Sequence, residues 1–307
     1  MKPILWLVCA GWLAWPHLAP AQEAPLKQLQ QKLLDQWRAV VQPAKGVVGV
    51  AALDLATGEF FGLNEQLVFA QASAIKVPLL VEVYRQAQAG KFGLADRRVI
   101  GPGDKVAGSG ILQALGDSTV QLSVRDLCVL MIALSDNTAT NLLIDLVGMD
   151  NLNQAMRAGG WPNTRLQRKM IRPEESARGQ ENISTPAEAV RILQKIHQGT
   201  VVSPAACADM LTILQERGKE AGKLKAGLPE GVVVANKDGS LPGVATDWML
   251  VLLPERPYVL VAMENYELDN ESATIFPQLA RAAHEYFARL GRATKYGVLV
   301  DPQLLKH

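Results

Sequence analysis

Cysteine is scarce, with three in 307 residues, which excludes a disulfide-rich scaffold or a cysteine-built metal module. Cys9 lies inside an apolar N-terminal run, so only Cys128 and Cys207 belong to the body of the chain. They could pair in an oxidising compartment or stay as two buried thiols, and sequence spacing does not decide between these. Histidine is scarce too. Of four, His17 and His307 lie near the ends, and His197 and His284 stand at no metal-ligand or triad spacing. No metal or cofactor is therefore expected. An excess of one charge sign is missing, the formal net charge being +1, and no basic run or acidic tail stands out, so no nucleic-acid partner is expected. Internal repeats and low-complexity tracts are absent. The one long apolar run, residues 4–15, follows Lys2 and precedes Ala19-Pro20-Ala21. It is too short to span a bilayer and has the flanks of an export signal cleaved after Ala21. Cys9 follows Val8 and not a small residue, which argues against a lipoprotein. A periplasmic or secreted protein is expected, with residues 1–21 removed, no stable membrane insertion afterwards, and one catalytic domain over 22–307.

What is present is an ordinary globular composition, long enough for a core that needs no staples. Helical spacing of apolar residues marks 25–41, through Leu26, Leu29, Leu33, Leu34, Trp37 and Val41, and recurs at 75–89, 124–134, 138–147, 187–197 and 273–290. Pro186 follows the candidate caps Ser184 and Thr185. Strands are expected at 46–55 and 60–63, around the turn Ala56-Thr57-Gly58-Glu59, and at 231–236, 247–253 and 258–264, the last two joined by Pro254-Glu255-Arg256-Pro257. Strands at both chain ends and helices between them predict an α/β (α+β) fold. An antiparallel sheet is drawn from about 24–67 and 217–292 and carries the terminal helices on one face. An inserted all-helical lobe spans about 68–216, with a cleft between the lobes. The stretch 159–185 is polar and aperiodic, and long for a loop, so it is either functional or disordered.

Three short motifs fall near the expected lobe junction. In Ser73-Ala74-Ile75-Lys76 the spacing puts hydroxyl and amine on one helix face. A serine is a poor nucleophile until a base takes its proton, and a lysine in an apolar setting can be that base. Ala74, Ile75, Val77 and Pro78 supply the setting, with Pro78 tolerated if a helix starts just before it. A serine at a helix start also offers its N–H to an oxyanion. In Ser135-Asp136-Asn137 the hydroxyl can pass a proton to a leaving nitrogen, and the amide can grip a substrate carbonyl and donate to Lys76. The same triplet also makes a good helix cap. Lys237-Asp238-Gly239 ends an apolar run, as a strand edge presenting Lys237 to the cleft or as a plain Asp-Gly turn.

Each motif recurs by chance, but their order and spacing together resemble the penicillin-recognising serine enzymes, and class A β-lactamases in particular, from about Leu26 to Leu290. Gly108-Ser109-Gly110-Ile111-Leu112 and the run Ser135 to Asn141 also match. The resemblance implies Ser73 as nucleophile and Lys76 as its base or relay. Ser135 would be the proton donor to the leaving nitrogen, and Asn137 would hold the substrate amide. Lys237 would lie near Ser135 and the substrate carboxylate, and the N–H groups of Ser73 and Ser240 would form an oxyanion hole. The implied ligand is a β-lactam or a D-Ala-D-Ala-type peptide.

Several positions depart from the family pattern. The glutamate that activates the deacylating water is replaced at or near Met170, with Glu174 and Glu175 a few residues on. Asp238 stands where the family has Thr or Ser, so that it cannot donate to a substrate carboxylate and would repel it, with Lys237 offsetting part of this. Ala245 stands where relatives often carry Arg, and Leu80 faces Cys128 where some relatives have a disulfide. Three functions follow as expectations: an exported hydrolase of β-lactams or related amides, a DD-peptidase-like peptidoglycan enzyme, or a module that is acylated without turnover.

Overall fold

The computed structural model describes residues 23–116, 120–219, 222–294 and 296–301; the expected export signal lies outside them. Helix α1 (Glu23–Val41) leads into the hairpin β1 (Val47–Asp54) and β2 (Phe60–Leu63). A two-residue strand, β3 (Phe69–Ala70), precedes a 3₁₀ turn (Ala72–Ile75) and α2 (Lys76–Gln88). Then come β4 (Arg97–Val99), β5 (Gln121–Ser123), α3 (Val124–Ala133), α4 (Asn137–Val147) and α5 (Met149–Ala158). After α6 (Pro173–Ala177) and β6 (Ile183–Ser184), α7 (Pro186–His197) and α8 (Pro204–Gly218) complete the helical part. The chain closes with β7 (Val234–Leu241), β8 (Val244–Val251), β9 (Tyr258–Asn265) and α9 (Ser272–Arg292).

The main sheet is antiparallel, in the order β2-β1-β9-β8-β7, so the two chain ends meet where β1 pairs with β9. Its central strands are apolar on both faces because both faces are covered. Val48, Val50 and Ala52 point with Tyr258 and Leu260 toward α1 and α9, where Trp37, Phe276 and Phe287 fill the core. Ala51 and Leu53 point the other way with Val259, Val261 and Trp248, onto a core shared with α2, α3, α4 and α7. The period-2 alternation of a strand thus serves two cores.

Three features differ from the sequence expectation. First, β7 does not stop before the Lys-Asp-Gly motif. It pairs residue for residue with β8, from Val234 opposite Val251 to Leu241 opposite Val244, and the hairpin turns at Pro242-Gly243. Cross-strand hydrogen bonding holds the polar motif in extended form, which overrides the local turn preference of Asp-Gly. Second, α5, α6 and α8 are additional helices; in α8 the small residues Ala205, Ala206 and Ala208 blur the apolar stripe. Third, the stretch 159–185 is ordered by its own bonds. Arg168 pairs with Glu181 at 2.7 Å, and the Asn182 side chain accepts from the N–H groups of Gln167 and Arg168. Cys128 and Cys207 are both buried and both free, which answers the question their spacing left open.

Candidate active site

β7 is the edge strand of the main sheet, and the face it shares with β8 packs on the 3₁₀ turn that carries Ser73. Gly239 makes that approach feasible. A Cβ there would stand 2.6 Å from the Ser73 nitrogen and 2.7 Å from the Gln71 carbonyl oxygen. The turn is pinned from below, because Gln71 accepts from Trp248 Nε1 at 2.9 Å and its carbonyl accepts from Thr246 Oγ1 at 3.0 Å. Ala72, just before Ser73, has φ +44°, a left-handed conformation that a non-glycine residue adopts only under tertiary constraint. Lys76 is the first residue of α2, so Pro78 falls in the first turn, where its missing N–H costs nothing.

Lys76 is fully buried. Its Nζ donates to the Ser135 carbonyl (2.7 Å), Ser135 Oγ (3.0 Å) and Asn137 Oδ1 (3.0 Å). The polarity differs from the expectation, which had the Asn137 amide donating to Lys76. Lys76 Nζ donates to the carbonyl end of the amide, which turns to it, and Asn137 Nδ2 donates to the Ala107 carbonyl at 3.1 Å. Burial, and then the charge of Lys237, hold the Lys76 pKa well below its ordinary value, with Arg217 adding to the effect and Asp136 and Asp238 opposing it.

Ser135 has φ +54° between α3 and α4, which aims its carbonyl and hydroxyl together at Lys76. Asp136 is a cap, as its residue type suggests, and more. One oxygen accepts from the Ala139 N–H and the other from the N–H groups of Ile111 and Leu112, which binds the loop 108–112 to the start of α4. Gly110, at φ +107°, is required there, because a Cβ would overlap the Asp136 carboxylate.

Lys237 is buried, and burial pushes its pKa down to about 8. Its Nζ donates to the Asp238 carbonyl at 2.5 Å and lies 3.4 Å from Asp238 Oδ1. The carboxylate has a nearer partner that the sequence did not reveal. Arg217, in the last turn of α8, donates from Nε to Oδ1 at 2.8 Å and from Nη2 to Oδ2 at 3.0 Å. Desolvation notwithstanding, the charges of Lys237 and Arg217 keep the Asp238 carboxyl below its usual range. The negative charge expected to face a substrate is therefore balanced by two cations and not by Lys237 alone. Ala245 is buried opposite Ser240, so the strand carries no cation at that position.

These elements enclose a cleft of about 350 Å³ lined by Ser73, Ser109, Asn137, Met170, Ile171, Arg172 and Ser240, among others, and none of the described residues that line it is an acid. Asn141 fixes the Met170 backbone on the cleft wall, donating to its carbonyl at 3.2 Å and accepting from its N–H at 2.8 Å. Glu174 and Glu175 lie on α6 and line no part of the cleft, which Pro173 and Ser176 reach instead. Ser73, Lys76, Ser135, Asn137, Lys237, Asp238 and Ser240 thus come together, while the two loop glutamates do not join them.

A family model described as the beta-lactamase enzyme family matches residues 32–287. Among curated relatives, Beta-lactamase L2 of Stenotrophomonas maltophilia is 29% identical over 289 residues, 89% of this chain and 93% of that protein. Among solved structures, a β-lactamase from Sphaerobacter thermophilus superposes with a TM-score of 0.76 at 32% identity, covering 84% of this chain and 97% of the other. A mutant of PBP-A, solved as an acyl-enzyme complex with penicillin G, gives a TM-score of 0.76 at 28% identity, covering 86% and 97%.

Proposed function

Because this chain belongs to the beta-lactamase enzyme family and is a serine hydrolase of that type, we propose that Ser73 attacks the amide carbonyl of a β-lactam or a related substrate and forms an acyl-enzyme. The observation that carries this is Lys76, buried beside cations and hydrogen-bonded to Ser135 and Asn137. In its neutral form it keeps two N–H bonds, to the Ser135 carbonyl and Asn137 Oδ1, and has a lone pair free to take the Ser73 proton. The Ser73 oxygen bonds to the carbonyl carbon, and the N–H groups of Ser73 and Ser240 hold the resulting oxyanion. As the C–N bond breaks, Ser135 gives its proton to the leaving nitrogen and regains one from Lys76. Asn137 positions the substrate amide, and Lys237 attracts its carboxylate. Export to the periplasm or beyond belongs to the same reading and rests on the N-terminal 21 residues.

A second reading is favoured by the absence of any acid among the described residues that line the cleft. With Met170 on the wall and no carboxylate to activate water, the acyl-enzyme is long-lived, which suits a DD-peptidase-like enzyme of peptidoglycan or a module that stays acylated. Intact-protein mass after mixing with penicillin, followed over time, tests both. A penicilloyl adduct that forms on wild type and is lost in Ser73→Ala supports the nucleophile; an adduct that persists in a folded Ser73→Ala protein refutes it. Slow loss of the adduct, unchanged in Glu174→Gln and Glu175→Gln, supports the second reading. A clear lifetime increase in either variant would identify that glutamate as the deacylation base.

A further inference from the structure

We propose that Arg217 is a positioning residue for recognition of an anionic substrate: by holding Asp238 in a two-bond ion pair, it keeps the positive charge of Lys237 uncancelled behind the β7 wall of the cleft. The inference rests on the reading that Ser73 opens carboxylate-bearing amides. The geometry is specific. The guanidinium meets both carboxylate oxygens, at 2.8 and 3.0 Å, and spends a third donor on the Ala133 carbonyl at 3.2 Å, so α8, the end of α3 and β7 are locked through one side chain. Lys237, by contrast, reaches the same carboxylate only at 3.4 Å. A planar fork against a carboxylate is the stronger hydrogen-bonding arrangement, and it gives Asp238 a second cation beside Lys237.

Lys237, Asp238 and Arg217 together carry +1, and Asp247, paired opposite Asp238, is a further acid acting on Lys237. Without Arg217 the carboxylate would have one counter-ion left, the buried Lys237 ammonium, and the two would close into a neutral pair in a low-dielectric setting. Besides Asp238 and Arg217, the charged groups acting on Lys237 include Asp247 across the β7–β8 pairing, and Lys237 in turn acts on Lys76. An incoming carboxylate would then meet no net positive charge from Lys237.

Two measurements test this. The first is an NMR titration of the Lys237 side chain in lysine-labelled protein, assigned by its loss in Lys237→Arg. In wild type it is expected to titrate near 8, and in Arg217→Ala to move upward, because a repelling charge is gone and Asp238 is released to it. The second is acylation efficiency with benzylpenicillin and with an uncharged thioester. Arg217→Ala is expected to lose about tenfold or more on benzylpenicillin and far less on the thioester. Arg217→Ala/Asp238→Thr, which has no acid to capture Lys237, is expected to return to within about threefold of Asp238→Thr. An unmoved Lys237 titration overturns the proposal, as does an equal loss on both substrates that Asp238→Thr does not recover. A wild type that neither substrate labels refutes the role of Ser73 itself, and the titration then still decides whether Arg217 governs the Lys237 charge.

Discussion

In the proposed acylation the chemistry turns on Lys76 and Asp238, and each is acted on by charges that packing brings from far along the chain, Lys237 and Arg217 on Lys76, and Arg217 on Asp238. Burial first, and Lys237 second, favour the neutral form of Lys76. A base of this kind acts when unprotonated, so acylation by an uncharged thioester is expected to rise with pH through its lowered pKa and to level off below pH 10.5, whereas acylation by benzylpenicillin is expected to fall again as Lys237 loses its charge around pH 8. Lys76→Ala is expected to slow acylation by about 10²-fold or more, with no rescue by Lys76→Arg, which cannot give up its proton. Stopped-flow acylation across pH checks both; an unchanged rate in Lys76→Ala returns the role to another group. At Asp238, replacement by Thr releases Arg217 and Lys237 together. Two unit charges about 4 Å apart interact by about 1 to 4 kcal/mol between water and an intermediate dielectric, and the existing ion pair offsets much of that. Asp238→Thr is therefore expected to raise benzylpenicillin efficiency by about tenfold and to leave an uncharged thioester little changed. An equal gain on both would point to a repaired strand edge. A loss on both would mean that Asp238 serves a different substrate.

β7 is the element that builds the site, since it carries Lys237, Asp238 and Ser240 and lies against the turn of Ser73. The contact depends on the missing side chain of Gly239. In Gly239→Ala the new Cβ forces strand and turn apart, with an expected cost of about 1–3 kcal/mol in stability and a much larger loss of acylation, because the N–H groups of Ser73 and Ser240, proposed to hold the oxyanion, move apart. Urea unfolding and acylation kinetics on the same variant check this. Near-normal acylation would show that the strand and the turn do not form the hole together. The segment 159–185 illustrates the limit of local pattern: it has no period, yet Arg168, Glu181, Asn182 and Asn141 fasten it across the cleft. Its bonds join residues on opposite arms of the loop, which periodicity does not register.

Across the whole molecule, the two chain ends are joined through β1 and β9, and a buried carboxylate sits at that junction. Glu264 pairs opposite Val48, and burial, followed by the nearby Glu271 and Glu267, pushes its pKa up to about 8. A carboxyl raised in the folded state holds a proton that the unfolded chain releases. Its contribution to stability is therefore fully present below the unfolded pKa of about 4.5 and is lost as pH rises through about 8. Unfolding free energy from urea titrations is expected to fall between about pH 5 and 9, and Glu264→Gln to flatten that slope. A slope identical in the variant would place the dependence elsewhere.

The sequence by itself determined what short-range covalent spacing controls. Apolar residues at helical spacing marked α1, α2, α3, α4, α7 and α9, because a helix repeats its buried face within a few residues. Ser73 and Lys76, and Ser135 and Asn137, were legible for the same reason: each pair is set by one turn of chain. Tertiary structure decided what depends on partners far apart. The extension of β7 through Lys237-Asp238-Gly239 needed β8 beside it. The direction of the Asn137 amide needed the buried Lys76 Nζ as a donor. The second cation on Asp238 needed Arg217 from α8, since a buried charge is also met by the partner that packing brings to it from far along the chain.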